Sequence, residues 1–137
     1  DDSVFFQTWY ALPSLPDAAA LVAKWNRLRE LRDPVRKSIE ALRAADRIGS
    51  SLQAQVDYAA SGADHDLLAS LGDELRFLLL TSAARVRRSN EVAVEVRESA
   101  HKKCERCWHY TPEVDTDGLC ARCRSNLRGP GETRHHV

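Results

Sequence analysis

Methionine is missing from all 137 residues, and the first residue is Asp. A translated chain starts with Met, so the expectation is a piece of a longer protein, which need not carry its parent's catalytic centre. No apolar run approaches the roughly 18 residues that a membrane-spanning helix requires. The start lacks the charged segment followed by an apolar segment that marks a secretory leader. These absences point to a soluble, intracellular, cytoplasmic protein with no membrane partner. Net charge of one sign is absent as well: 20 Lys and Arg face 20 Asp and Glu. The total therefore argues for no charged partner. There is no internal repeat of domain scale and no low-complexity tract. Cysteine is scarce, with four residues in all, every one between positions 103 and 127.

Beneath the neutral total the charge is sorted. Residues 17–48 hold eight bases against five acids, residues 76–103 hold seven against three, and residues 49–75 hold five acids and no Lys or Arg. Segregation of this kind is what a nucleic-acid binder needs, although a solvated surface produces it too. Chain length allows one ordinary domain or two small ones.

Local patterns predict an α+β chain. The opening SVFFQTWYALPSLPD, aromatic and twice interrupted by proline, reads as a packed extended lead-in. Asp17 offers an N-cap, and Leu21, Trp25, Leu28, Val35, Ile39 and Leu42 then recur at helical spacing, with Arg32 the one break in the stripe. The phase survives across Asp33-Pro34, so the reading is one long helix kinked at Pro34; two helices, the second capped by Asp33, are the alternative. Leu52 to Tyr58 alternates as a strand, residues 64–71 suit a short helix, and DELRF starts a further helical turn that runs into LLLTSA. Val92, Val94 and Val96 mark another strand. The tail GPGETRHHV reads as loose, with its paired histidines in solvent. Three parts result: a helical end at 1–48, a small mixed α/β junction with a few short strands at 49–100, and a terminal zinc ribbon or knuckle at 101–137.

The last part rests on KCERCWHYTPEVDTDGLCARCRSNL. Its two C-x-x-C pairs, Cys104/Cys107 and Cys120/Cys123, can aim four sulfurs at one point, the tetrahedral shell that Zn²⁺ prefers. Twelve residues separate Cys107 from Cys120, enough for a short hairpin, with turns at Pro112 and at Asp-Thr-Asp-Gly. Two disulfides would require an oxidising compartment, and iron is a lesser alternative on the ligands alone. Four thiolates close the shell, so one structural Zn²⁺ with no catalytic position is expected. His101 and His109 then stand beside the site or at the surface. Lys102, Lys103, Arg106, Arg122 and Arg124 would offset the negative charge of the thiolates and present positive charge outward. Trp108 reads first as the module's miniature core and second as a stacking surface for an unpaired base; for Tyr110 the two readings stand level.

KCERCWHY followed by LCARCRSNL resembles the carboxy-terminal zinc module of bacterial isoleucyl-tRNA synthetases. SVFFQTWY, the helix leading into IGSSLQAQV, and LGDELRFLLLTSA are similar to stretches that precede that module, so the resemblance covers most of the chain in the right order. It implies a parent that joins isoleucine to its tRNA with ATP and Mg²⁺ on a distant catalytic domain. The His-Ile-Gly-His and Lys-Met-Ser-Lys-Ser signatures of that domain do not occur in this sequence, and this piece would hold no catalytic residue. It implies Cys104, Cys107, Cys120 and Cys123 as metal ligands and matches Trp108 to the family's tryptophan. Its partners would be tRNA, at the anticodon arm, and the rest of the parent chain, in a monomer. With Trp108, the cations Lys102, Lys103, Arg106, Arg122, Arg124 and Arg128 are the candidate RNA contacts. The stretch from Thr81 to Lys103 departs from the family in being short and rich in arginine (Arg85, Arg87, Arg88), which leaves its strand layout open. Two other readings compete: the zinc-finger end of a formamidopyrimidine-DNA glycosylase-like repair protein, and a protein-docking module that zinc staples.

Overall fold

The computed structural model describes residues 3–136; residues 1, 2 and 137 lie outside it. Its longest element is α1 (Ala18–Ala44). Strand β1 (Ala54–Ala60), helix α2 (Gly62–Ala69), a short 3₁₀ turn at Gly72–Glu74, helix α3 (Leu75–Leu79), and strands β2 (Ala83–Arg88) and β3 (Ala93–Glu98) follow. The terminal part holds two-residue strands β4 (Lys102–Lys103) and β5 (Tyr110–Thr111) and helix α4 (Ala121–Arg128).

Helix α1 runs unbroken through Pro34, so the two-helix alternative is overturned. Leu28, Leu31, Val35 and Ile39 are its buried positions, and Trp25 and Leu42 pack at the margin of the same cluster. Leu31 takes the inward position that the sequence pattern had assigned to the row of Arg32. The stripe fails at its start: Leu21 is 46% exposed and Val22 57%. Asp17 occupies the N-cap position, but its side chain makes no capping hydrogen bond.

The lead-in is a correction. Phe5, Phe6, Trp9, Tyr10, Leu12 and Leu15 are all exposed, Trp9 completely. A single 3₁₀ turn at Val4–Phe6, capped by the Ser3 hydroxyl, is the ordered structure there. Its aromatic side chains are not part of the core cluster.

The sheet has the order β2-β1-β3, with β1 parallel to β2 and antiparallel to β3. The stretch from Thr81 to Lys103, whose layout the sequence left open, thus holds the arginine-bearing parallel edge strand β2, entered after a helical crossover as parallel pairing requires, and then the antiparallel strand β3 and the short β4. Alternation sends Ala54, Val56, Tyr58 and Ala60 of β1 inward, against α1 and against Leu68, Leu71, Leu75 and Leu79. Leu80 ends α3 in the left-handed conformation (φ 57°), so the apolar run LLLTSA turns sharply instead of continuing the helix. Arg27 of α1 joins α2 to this layer, donating to both carboxylate oxygens of Asp64 at 2.7 and 2.8 Å.

Leu28 is wholly buried in this single cluster. Leu28→Ala removes three heavy atoms from a packed site and is expected to cost about 2–5 kcal/mol. A urea unfolding curve followed by far-ultraviolet circular dichroism measures it, and an unchanged midpoint would show that α1 does not pack here.

Candidate metal centre

After strand β3 the buried Ser99 fastens the chain to the start of the sheet, its N–H donating to the Gln53 carbonyl at 2.7 Å. Strands β4 and β5 pair antiparallel, Lys102 with Thr111 and Lys103 with Tyr110, and so bring the chain around the first pair of cysteines. The expected hairpin between Cys107 and Cys120 is reduced to one bridge, Val114 with Cys120. It closes the Asp-Thr-Asp-Gly turn, in which the Asp115 carboxylate accepts from the Asp117 and Leu119 N–H groups at 3.0 and 3.1 Å. Gly118 needs its freedom there: φ is +73°, and a Cβ would lie 2.8 Å from the Glu105 side chain.

Cys120 caps α4, and Cys123 follows one turn into it. All four sulfurs lie within 4.8 Å of one another, and Cys104, Cys120 and Cys123 are buried. A tetrahedron with Zn–S bonds of about 2.3 Å has sulfur–sulfur edges of about 3.8 Å; Cys107 and Cys120 stand 3.7 Å apart, and all four thiols are free. The donor set therefore fits a closed tetrahedral metal site. Its surroundings favour thiolate at Cys104. Burial opposes charge on Cys104, yet backbone N–H groups of Cys107, Cys120 and Arg106 outweigh it and bring the thiol down to about 6. Arg106 reaches the Cys123 sulfur at 3.6 Å. Burial pushes Cys120 and Cys123 the other way, a penalty that a bound cation would reverse.

Trp108 turns the chain back after Cys107. Its φ is +64°, its N–H donates to the Cys104 carbonyl at 2.8 Å, and the Cys104 N–H donates to His109. The ring is 61% exposed, so Trp108 is not the module's core; the sulfurs fill that place, with Val114 and Leu119 around them. Lys103 sits over the indole, 5.6 Å from its centroid. Lys102 is exposed beside it.

The arginines behave differently from one another. Arg124 donates to the Asp115 carboxylate at 2.7 Å and to the Leu119 carbonyl at 2.8 Å. Arg122 pairs with Glu132 at 3.1 Å and stacks on Phe77. Arg128 lies 3.6 Å from Asp117. Arg122 and Arg124 are thus braces inside the module. His109 is half-buried, its Nδ1 3.1 Å from the Cys107 carbonyl. Burial, joined by the nearby cations Arg122, Arg76 and Arg134, lowers its pKa. His101 is exposed at the module's edge.

Three contacts that the sequence did not signal lock this module to the sheet. Ser82 is buried, donates to the Leu52 carbonyl, and accepts from the Tyr110 N–H at 2.6 Å. Phe77 meets His109 edge-on at 5.7 Å and is overlain by Arg76, Arg122 and Arg134. The buried Glu74 carboxylate accepts from the backbone N–H groups of His135 and His136 at 2.5 and 2.6 Å. The tail is therefore docked as far as His136, against the expectation of a loose end; Val137 lies outside the described residues. A carboxylate among apolar residues needs donors, and the tail's amides supply them. His135 and His136 do present exposed rings.

The order of these pieces matches known proteins. No protein-family model matches the chain. Among curated proteins it is 50% identical over 137 residues to an isoleucine--tRNA ligase of Bordetella pertussis, covering 96% of this chain and 14% of that one. It is 52% identical over 140 residues to isoleucine--tRNA ligase 1 of Burkholderia mallei, covering 97% and 15%, and 51% identical to the Paraburkholderia phytofirmans ligase over the same shares. This chain is homologous to a segment of bacterial isoleucine--tRNA ligases. It spans about one seventh of their length. The repair-glycosylase reading finds no support among these relatives. Among the described residues no helix is long and apolar enough to cross a membrane.

Because Arg124 ties the Asp-Thr-Asp-Gly turn to α4, Arg124→Ala is expected to speed metal loss to a chromogenic chelator severalfold, with α1 unaltered. Equal rates would remove Arg124 from the frame of the site.

Proposed function

We propose that this chain is a tRNA-binding segment of isoleucine--tRNA ligase, built around one structural zinc and devoid of catalytic residues. Cys104, Cys107, Cys120 and Cys123 would hold the ion, which supplies no reaction chemistry because four thiolates leave no open coordination position. The three-part division at about residues 48 and 100, the cytoplasmic location and the monomeric state belong to the same reading. So do ATP and Mg²⁺ at a catalytic domain elsewhere in the parent chain.

The observation that carries the proposal is Trp108. A non-glycine residue in the left-handed region costs on the order of 1–3 kcal/mol, and such strain collects at functional sites. Here it leaves a large aromatic side chain in solvent beside the exposed Lys103, with the exposed Lys102 next to it in the chain. An unpaired base of an RNA loop can stack on such a face while the ammonium groups meet its phosphates. Arg106 and Arg128 remain candidates at the rim. Arg122 and Arg124 contribute by holding the module's shape.

Two measurements test this. Cys104→Ser is expected to take bound zinc from one ion per chain to none, and to raise hydrogen exchange across residues 101–128 while the buried face of α1 keeps its protection. A variant still loaded with one zinc would refute the ligand set. Trp108→Ala is expected to weaken binding of an isoleucine tRNA transcript by about 1–3 kcal/mol, the worth of one stacked base, in fluorescence anisotropy. Unchanged affinity, or preference for duplex DNA over tRNA, would defeat the RNA reading.

A further inference from the structure

The arginine-rich strand has no part in the zinc site, and its geometry asks for a partner. In β2, Arg85 and Arg87 are both exposed. They are two residues apart, so they lie on one face of the sheet with Cα atoms about 6.6 Å apart. It is the face opposite the core, since their register partners on β1 are Asp57 and Ala59 and the inward set is Val56, Tyr58 and Ala60. Neither guanidinium has an ion pair or hydrogen bond among the described residues. Asp57, the carboxylate beside Arg85, is taken by Arg97 of the opposite edge strand β3. Arg88, by contrast, is paired with Asp66. Glu95 is on the same face but on the far strand β3.

This face does not end at the sheet. It forms one wall of a cleft of about 460 Å³ whose opposite wall is the metal module; Arg85, Arg97, His101 and Tyr110 all line it. Tyr110 is paired with Lys103, and Lys103 lies over Trp108. Arg85 and Tyr110 thus line one cleft from its two walls, and Tyr110 pairs with the strand residue whose ammonium lies over the exposed indole. Three acids line the cleft: Asp57, which pairs with Arg97, and Asp73 and Glu113, which belong to other elements.

We infer that Arg85 and Arg87 form a second RNA-contact site, a two-step ladder for consecutive phosphates of the strand whose base stacks on Trp108. The inference rests on the tRNA reading above and extends it from the module to the sheet. An edge strand bearing arginines is protected from pairing with other strands, which accounts for charge on β2 but not for its arrangement as two unpaired groups on the face that walls the cleft. Point charges at fixed spacing meet a phosphate backbone without sequence preference, and each neutralised phosphate releases counterions.

The test is tRNA binding by the 137-residue chain across a salt series. Arg85→Ala with Arg87→Ala is expected to lower affinity roughly tenfold and to flatten the log–log salt slope by about 1.4, two single-strand phosphate contacts. Arg85→Lys with Arg87→Lys is expected to restore the slope, and Arg88→Ala to leave it unchanged. Circular dichroism should show all three variants folded. A Trp108→Ala effect together with an unaltered salt slope in the double alanine variant would overturn this inference alone. Failure of the unsubstituted chain to bind tRNA would overturn it along with the reading beneath it. Displacement of the RNA by poly-glutamate at equal charge concentration would also overturn it, showing a face for acidic peptides.

Discussion

Four sulfurs in contact are the constraint on which the terminal third of this molecule depends. Residues 101–128 contain almost no apolar core: Val114 and Leu119 flank the cysteines, and little else is inside. The backbone turns that place the sulfurs run at a deficit, with Trp108 held in a conformation suited to glycine. A segment of this size cannot bury enough apolar surface to offset the entropy of ordering it. Metal-binding free energy at a tetrathiolate site becomes folding free energy, which would let the module keep its one tryptophan on the surface instead of in a core.

Charge follows the same division of labour. Arginines near the site fall into those that hold shape and those that face outward, and the difference lies in whether an acid is within reach. Arg124 finds Asp115, Arg122 finds Glu132, Arg27 finds Asp64 and Arg88 finds Asp66. Arg85, Arg87 and Lys102 find none. A neutral total thus conceals a surface on which nine of the 20 Lys and Arg are ion-paired among the described residues, while Arg85 and Arg87 on the sheet and Lys102 and Lys103 in the terminal module are not. By holding Glu74 and covering Phe77, the docked tail sets the angle between the module and the sheet that the cleft separates.

Much of this was legible from residue patterns. The C-x-x-C spacing and the turn residues between the pairs pointed to the four-thiol cluster, because a C-x-x-C turn is a local geometry. The inward face of α1, strand β1 and strand β3 followed from periodicity. What periodicity missed shows where it stops. Leu21 continued the helical stripe but extends past the core. AARVRR gave no strand signal, since arginine replaces the apolar residues that mark alternation, yet hydrogen bonding to β1 makes it a strand. Trp108 was assigned inward on hydrophobicity, and a backbone torsion sent it outward.

By itself, the sequence determined the four-thiol site, the long helix, the resemblance to the synthetases and the absence of their catalytic signatures, all of which reside in short windows of chain. Only the tertiary structure decided which arginines are braces and which are unpaired, that the tail is docked through Glu74, and that β2 lines the cleft shared with the terminal module. Those outcomes join residues up to 62 positions apart. They depend on which donors and acceptors the fold brings within about 3 Å of each other, a distance that no local pattern encodes.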